Sequence, residues 1–192
     1  MKTRCSWCGS DPLYVAYHDE EWGVPVHDER MLFEFLTLEC QQAGLSWITV
    51  LRKRENYRKQ FFNFDPKKVA KMTDEDIEAR MQDAGLIRNR AKLNSIRSNA
   101  LAFLAIQKEF GSFDRYIWSF VDGTVIDGRR GSLSELPATS QLSDTISKDL
   151  KKRGFKFVGS TIVYAHMQAT GMINDHVQDC FRYQEVKNLA RD

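Results

Sequence analysis

Lys152-Arg153-Gly154-Phe155-Lys156-Phe157-Val158-Gly159 lies between two stretches that read as helices. The upstream stretch opens at Ser143 and runs to Lys152, with Ile146 and Leu150 turned inward. The downstream one runs from Ser160 to Thr170 and is stopped by Gly171. The spacing predicts two helices joined by a tight turn, a hairpin covering about residues 143–170.

Outward from this hairpin the pattern is helix after helix, with few strand signals. Asp28 to Leu38 sets Met31, Leu32, Phe35 and Leu36 on one face, and Glu39 continues that apolar stripe. A carboxylate in such a place is either an accident of capping or a deliberately buried acid. Ser46 to Lys53 reads as a second helix. Asp65-Pro66 is a strong start signal, Asp as cap and Pro in the first turn. Thr73 to Gln82 follows, with acidic residues in its first turn and Gly85 as its stop. Arg88 to Lys108 places Leu93, Ile96, Ala100, Phe103 and Leu104 at helical spacing. The polar run Gly128 to Ser140 is expected to be the most flexible segment. The fold class expected is all-α: two helical lobes with a groove between them, in one domain of 1–192.

At 192 residues the chain can bury a sizeable core without disulfide staples. It has no apolar run near the roughly 18 residues that a spanning helix needs, so no membrane partner is expected. Met1 to Trp7 is polar and lacks the apolar stretch of a signal peptide, so a cytoplasmic location is expected. A net charge of +2 says little about partners. Its distribution says more, because basic clusters recur at 52–54, 88–92, 129–130 and 151–156 and can follow phosphates. Each cluster alone reads equally well as a solvated helix face.

Four cysteines occur, Cys5, Cys8, Cys40 and Cys180. Disulfides among them are not expected in a cytosolic protein. Cys5 and His18 near one end, with His176 and Cys180 near the other, would make a closed tetrahedral zinc site joining the two termini. The four-residue step from His176 to Cys180 suits one helical turn. Cys8, His27 and His166 are ligands of equal chemistry, and buried cysteines and core histidines are the plain alternative. Spacing alone leaves these readings open.

Four segments resemble the 3-methyladenine DNA glycosylase I family. They are Arg4-Cys5-Ser6-Trp7; Asp11-Pro12-Leu13-Tyr14 through Tyr17-His18-Asp19-Glu20-Glu21-Trp22-Gly23-Val24-Pro25; Leu38-Glu39 with Gln41-Gln42-Ala43-Gly44-Leu45-Ser46-Trp47; and the hairpin stretch continuing to Asn174-Asp175-His176-Val177. The likeness spans nearly the whole chain apart from about the last ten residues. It implies a helix-hairpin-helix glycosylase fold acting on double-stranded DNA that contains 3-methyladenine; the sequence gives no hint of oligomerisation, so a monomer is the default expectation. It also implies one structural zinc ion (Zn2+) on Cys5, His18, His176 and Cys180, with Cys8 a bystander.

The resemblance further implies a flipped base held among Tyr14, Tyr17, Trp22, Glu39 and Trp47. Glu39 would accept hydrogen bonds from the amine edge, Trp47 would stack on the cationic ring, and Tyr17 would hydrogen-bond it from the wall. Glu39, Tyr17 and Trp47 are thus the expected reaction residues. Hairpin amides ending at Gly159 would hold a phosphate, flanked by Lys152, Arg153 and Lys156. Leu45 is the expected wedge in the vacated stack. Only one of the two glycines frequent in such hairpins stands in place, Gly159.

Ser160 and Thr161 occupy the position where strand-nicking relatives carry a lysine, so a monofunctional glycosylase is expected. Asp175 is a weak candidate for a catalytic aspartate, with Asn174 beside it. The rival readings are a lyase or a glycosylase for another lesion, a non-catalytic hairpin module that binds DNA, and a zinc hydrolase. The last would need an open metal position, which four protein ligands close.

Overall fold

Side-chain caps mark where most helices begin. Asp11 accepts from the amides of Leu13 and Tyr14 and opens α1 (Pro12–Glu20). Asp28 caps α2 (Glu29–Gln42). After Ser46 come α3 (Trp47–Leu51) and α4 (Arg54–Gln60). Asp65 opens α5 (Pro66–Ala70), and Thr73 with Asp76 forms a reciprocal capping box on α6 (Asp74–Arg80). Asn89 caps α7 (Arg90–Phe110) and Ser112 caps α8 (Phe113–Ser119). The hairpin helices are α9 (Gln141–Lys152) and α10 (Ser160–Ala169), and α11 (Phe181–Leu189) closes the order.

Two short strands, β1 (Ile126–Asp127) and β2 (Ile173–Asn174), pair in parallel and are the only sheet among the described residues. The computed structural model describes residues 1–190; Arg191 and Asp192, part of the expected domain, lie outside them. The expected all-α class holds, and no described helix is long and apolar enough to cross a membrane.

α2 is the central element. Every residue from Leu32 to Gln41 is buried, so the single apolar stripe expected here understates it. α7, α8 and α10 pack around it. A buried carboxylate also lies on this helix: Glu34 is held by Arg58 and Arg30. At the far end, Lys92 from α7 donates to the carbonyls of Gln41 and Ala43 at 2.9 and 2.5 Å. Those carbonyls have no partner within the helix, and a cation suits that end of the dipole. This contact fixes the exit of α2 into Gly44 and Leu45. A single contiguous apolar cluster runs through the described helices, so the groups of helices share one core.

Several expected boundaries move. α9 begins at Gln141 rather than Ser143, because Ser143 is the third-position partner of the Ser140 cap. The helix expected over 46–53 breaks at Arg52–Lys53 into α3 and α4. α6 ends at Arg80, before Gly85. α1, α8 and α11 were not foreseen; α1 lacks a continuous apolar stripe and buries only Tyr17 and His18. The run 128–140 is tied down rather than free. Gly128 donates to Asn174, Arg130 pairs with Val177, and Leu133–Glu135 forms a 3-10 turn. His176 and Cys180 do not share a helical turn: they flank a tight loop closed by the Cys180 amide on Val177, just before α11.

Candidate active site and metal centre

The two termini meet at a buried cluster. Cys5 Sγ lies 3.5 Å from His176 Nδ1, and Cys180 Sγ lies 3.5 Å from His18 Nε2 and 3.6 Å from His176 Nδ1. All four donor atoms fall within 4.8 Å of one another and all four residues are buried. Ligands bound tetrahedrally to zinc at 2.0–2.3 Å are roughly 3.3–3.8 Å apart, and the three thiol–imidazole separations fall in that range. Outer contacts fix both imidazoles. His18 Nδ1 bonds Asp19 at 2.8 Å, and Asp19 is gripped by Arg4. His176 Nε2 bonds the Trp22 carbonyl at 2.8 Å. Each ring therefore turns its other nitrogen inward, the arrangement that orients metal-binding histidines. Gly23 permits this packing, since a Cβ there would meet the His176 ring at 3.1 Å.

Within the cluster the two thiols divide their acidity. Partnership with Cys5 first, then His176 and His18, holds Cys180 far below the usual thiol range, while Cys5 is pushed up. Cys8, though buried, stays outside, its thiol on the Cys5 carbonyl at 3.2 Å. His27 is exposed and bonds Asp114. His166 is buried elsewhere, and desolvation lowers its pKa to about 4.

Beside the cluster opens a cavity of about 310 Å³, the size of a small-ligand pocket. All five residues expected to hold a base line it: Tyr14, Tyr17, Trp22, Glu39 and Trp47. Trp22 and Tyr14 pack on Trp7 at 4.9 and 5.2 Å between ring centroids, and Tyr17 on Trp47 at 5.5 Å. Trp7 also touches His18, and Trp22 touches His176. The Cys5, His18, His176 and Cys180 cluster thus braces one wall of the cavity.

Glu39 is 3% exposed, and its Oε2 has no hydrogen-bond partner. Burial alone pushes its pKa up to about 8. Burial raises Tyr17 as well, with Glu39 adding to the effect. An isolated buried carboxyl is costly, and such groups gather at functional sites.

The other wall escaped sequence reasoning. Leu133, Leu136 and Pro137 come from the loop before α9, and Ala165 and Gln168 from α10. Trp7 and Gln42 complete the lining. Trp7 stands inside a quoted segment, and Ala165 and Gln168 recur at helical spacing just after the hairpin. Leu133 to Pro137 carried no signal.

Asp175 is fully buried beside this wall and accepts from Arg130 Nε at 3.0 Å, from Gln168 and from the Tyr164 hydroxyl. Asn174 faces away, bonding the Tyr183 carbonyl and the His176 amide. A Cβ at Gly128 would meet Asp175 Oδ1 at 2.2 Å. Gly128→Ala is therefore expected to destabilise the protein by about 1–3 kcal/mol and to loosen the Leu133–Pro137 wall. Thermal unfolding checks this; an unchanged midpoint would contradict it.

On the hairpin, Asn99 bonds both the amide and the carbonyl of Lys156, at 2.8 and 3.1 Å, pinning the turn to α7. Ser147 holds the Val158 carbonyl at 2.6 Å. Gly159 stands at the start of α10, and Lys152 and Lys156 are exposed. Arg153 is already committed to Asp149 and Glu109, stacked over Phe110 and Tyr116. Leu45 is exposed next to Gly44, whose φ is +79°.

Comparison with known proteins agrees with this geometry. The family profile described as methyladenine glycosylase matches residues 7–183. The chain is 55% identical to DNA-3-methyladenine glycosylase 1 of Escherichia coli (strain K12) over 180 residues, 94% of this chain and 96% of the relative. It is 53% identical to the DNA-3-methyladenine glycosylase of Haemophilus influenzae, covering 94% and 97%. A structure of 3-methyladenine DNA glycosylase I from Staphylococcus aureus, solved to explain 3-methyladenine recognition, superposes with a TM-score of 0.91. It is 39% identical, with 93% of this chain and 95% of that one covered. The chain belongs to the methyladenine glycosylase family.

Proposed function

We propose that this protein is a monofunctional DNA glycosylase that hydrolyses the N-glycosidic bond of 3-methyladenine in double-stranded DNA, the first step of base excision repair. The observation that carries the reading is Glu39: a buried carboxyl with a free oxygen, set among aromatic rings in a base-sized cavity. Inside a duplex the target bond is out of reach, so the nucleotide must rotate into this cavity. 3-Methyladenine is a cation in DNA, and its bond to the sugar is already weak. The leaving base therefore needs no proton, and the protein's task is to select it and tolerate charge on the sugar.

Glu39 supplies both acceptor and negative charge. The ring of Trp47 adds a cation–π attraction on the order of 1–2 kcal/mol once water is excluded. Tyr17 hydrogen-bonds the base from the wall, with Tyr14 and Trp22 completing the enclosure. Amides at the start of α10, ending the turn at Gly159, take a phosphate of the damaged strand. Lys152, Arg153 and Lys156 flank it; Arg153, already paired, adds the least charge. Leu45, exposed at the exit of α2, fills the gap in the base stack.

The metal on Cys5, His18, His176 and Cys180 is zinc in a structural role, cross-linking the termini and steadying Trp7 and Trp22. A DNA substrate supports a cytoplasmic site of action.

The test is to incubate methylated duplex DNA with the protein, then identify released bases and examine the strands. The expected result is free 3-methyladenine with strands intact until alkali is added. Binding of DNA without release of any base would favour the non-catalytic module, and breaks before alkali would favour a lyase.

A further inference from the structure

Gln168 reaches the cavity from α10, one turn beyond Ala165. Its Nε2 donates to Asp175 Oδ2 at 2.9 Å. Asp175 is immobilised in turn, with Oδ1 on Arg130 Nε at 3.0 Å and Oδ2 also taking the Tyr164 hydroxyl. A carboxylate paired with a guanidinium only accepts hydrogen bonds, so Gln168 must face it with the NH2 end of its amide. That choice of rotamer is dictated by chemistry and leaves Oε1 as the free end. Among the described residues Gln168 Oε1 has no hydrogen-bond partner, and it is not sealed from solvent.

We propose that Gln168 determines specificity in the base pocket: its amide oxygen accepts an N–H of the bound purine and rejects purines that present a carbonyl oxygen there. The proposal rests on the glycosylase reading above and sharpens it. The ionised form of Glu39, whose Oε2 is likewise without a partner, is also an acceptor. Two free acceptors from α2 and α10 suit a base rich in donors. Adenine carries an amine on the edge where guanine carries O6. A guanine turned the same way would set oxygen against oxygen, leaving buried acceptors unpaired, which is how a pocket discriminates strongly. Asp175, Arg130 and Tyr164 act through Gln168 as positioning residues.

The experiment follows quenching of the pocket tryptophans by free 3-methyladenine and by free 3-methylguanine, in native protein, Gln168→Met and Gln168→Leu. Both variants approximate the side-chain volume without an acceptor, and Gln168 is only half-buried. The expected result is roughly tenfold weaker 3-methyladenine binding, the size of one lost buried hydrogen bond. Binding of 3-methylguanine should stay level or tighten, so the preference for adenine collapses in both variants.

Equal weakening for both bases would mean lost packing and would overturn the proposal, as would unchanged binding. Failure of both variants to fold would overturn it too, by making Gln168 a structural residue. Native protein that binds no 3-methyladenine would instead defeat the glycosylase reading itself.

Discussion

Cys180→Ala is expected to lower the unfolding temperature by roughly 10 °C or more and to abolish base binding with it. A closed site of two cysteines and two histidines contributes folding free energy directly, because the unfolded chain has no assembled site. Here the ligands come from both ends of the chain, so their loss loosens residues 1–20 from the segment 174–182, leaving the Phe181 amide on the Thr3 carbonyl as a weaker tie. Removing a few kcal/mol, at about 2–4 °C per kcal/mol for a chain this long, gives the stated shift. The effect reaches the pocket because Trp7 packs on His18 and the Trp22 carbonyl holds His176. Cys8→Ala is the comparison: that thiol is equally buried but outside the cluster. A chelator should bring native protein down to the Cys180→Ala level and leave that variant unmoved. Equal melting of Cys8→Ala and Cys180→Ala, with no metal in the purified native protein, would contradict this account.

Glu39→Gln is expected to act in opposite directions on stability and activity. Burial raises the Glu39 pKa from 4.5 to about 8. Between those values the folded protein keeps a proton that the unfolded chain has released, so stability falls as pH rises through the window. The cost at pH 8 is on the order of 4 kcal/mol, at about 1.4 kcal/mol per unit. Glutamine has no proton to lose. The variant should match native protein near pH 4.5 and exceed it increasingly up to pH 8, as denaturant titrations at several pH values would reveal. Identical pH profiles would mean that Glu39 is not a buried lone carboxyl.

Base release should move the other way. Selection of the cation needs the ionised carboxylate, so kcat/KM of native protein should rise toward pH 8, reflecting the free-enzyme pKa. The stability sacrificed at Glu39 is thus the counterpart of its function.

How far the sequence could be read depended on distance along the chain. Local chemistry was legible. The Asp65-Pro66 start, the Thr73 cap and the hairpin between α9 and α10 all lie where their own residues demand. Glu39 announced itself by falling in register with Leu32 and Phe35. Tertiary chemistry was not legible. Nothing near Leu133 or Pro137 indicates that they face Trp47, because the loop is brought there by Arg130 on Asp175 and by β1 on β2. The four residues expected as ligands do come together, but the helical turn expected from His176 to Cys180 is a loop. The family likeness selected them, and the spacing did not. Helix α1 stayed hidden because its inward face is a tyrosine and a histidine, committed to the pocket and the metal cluster.

The measurement closest to the central claim is single-turnover release of bases from methylated duplex DNA by native protein and Glu39→Gln, both folded and zinc-loaded, at pH 8. The account predicts that native protein frees 3-methyladenine and leaves 7-methylguanine in place, and that the variant does so roughly 10–100-fold more slowly. Equal rates for the two proteins would contradict it.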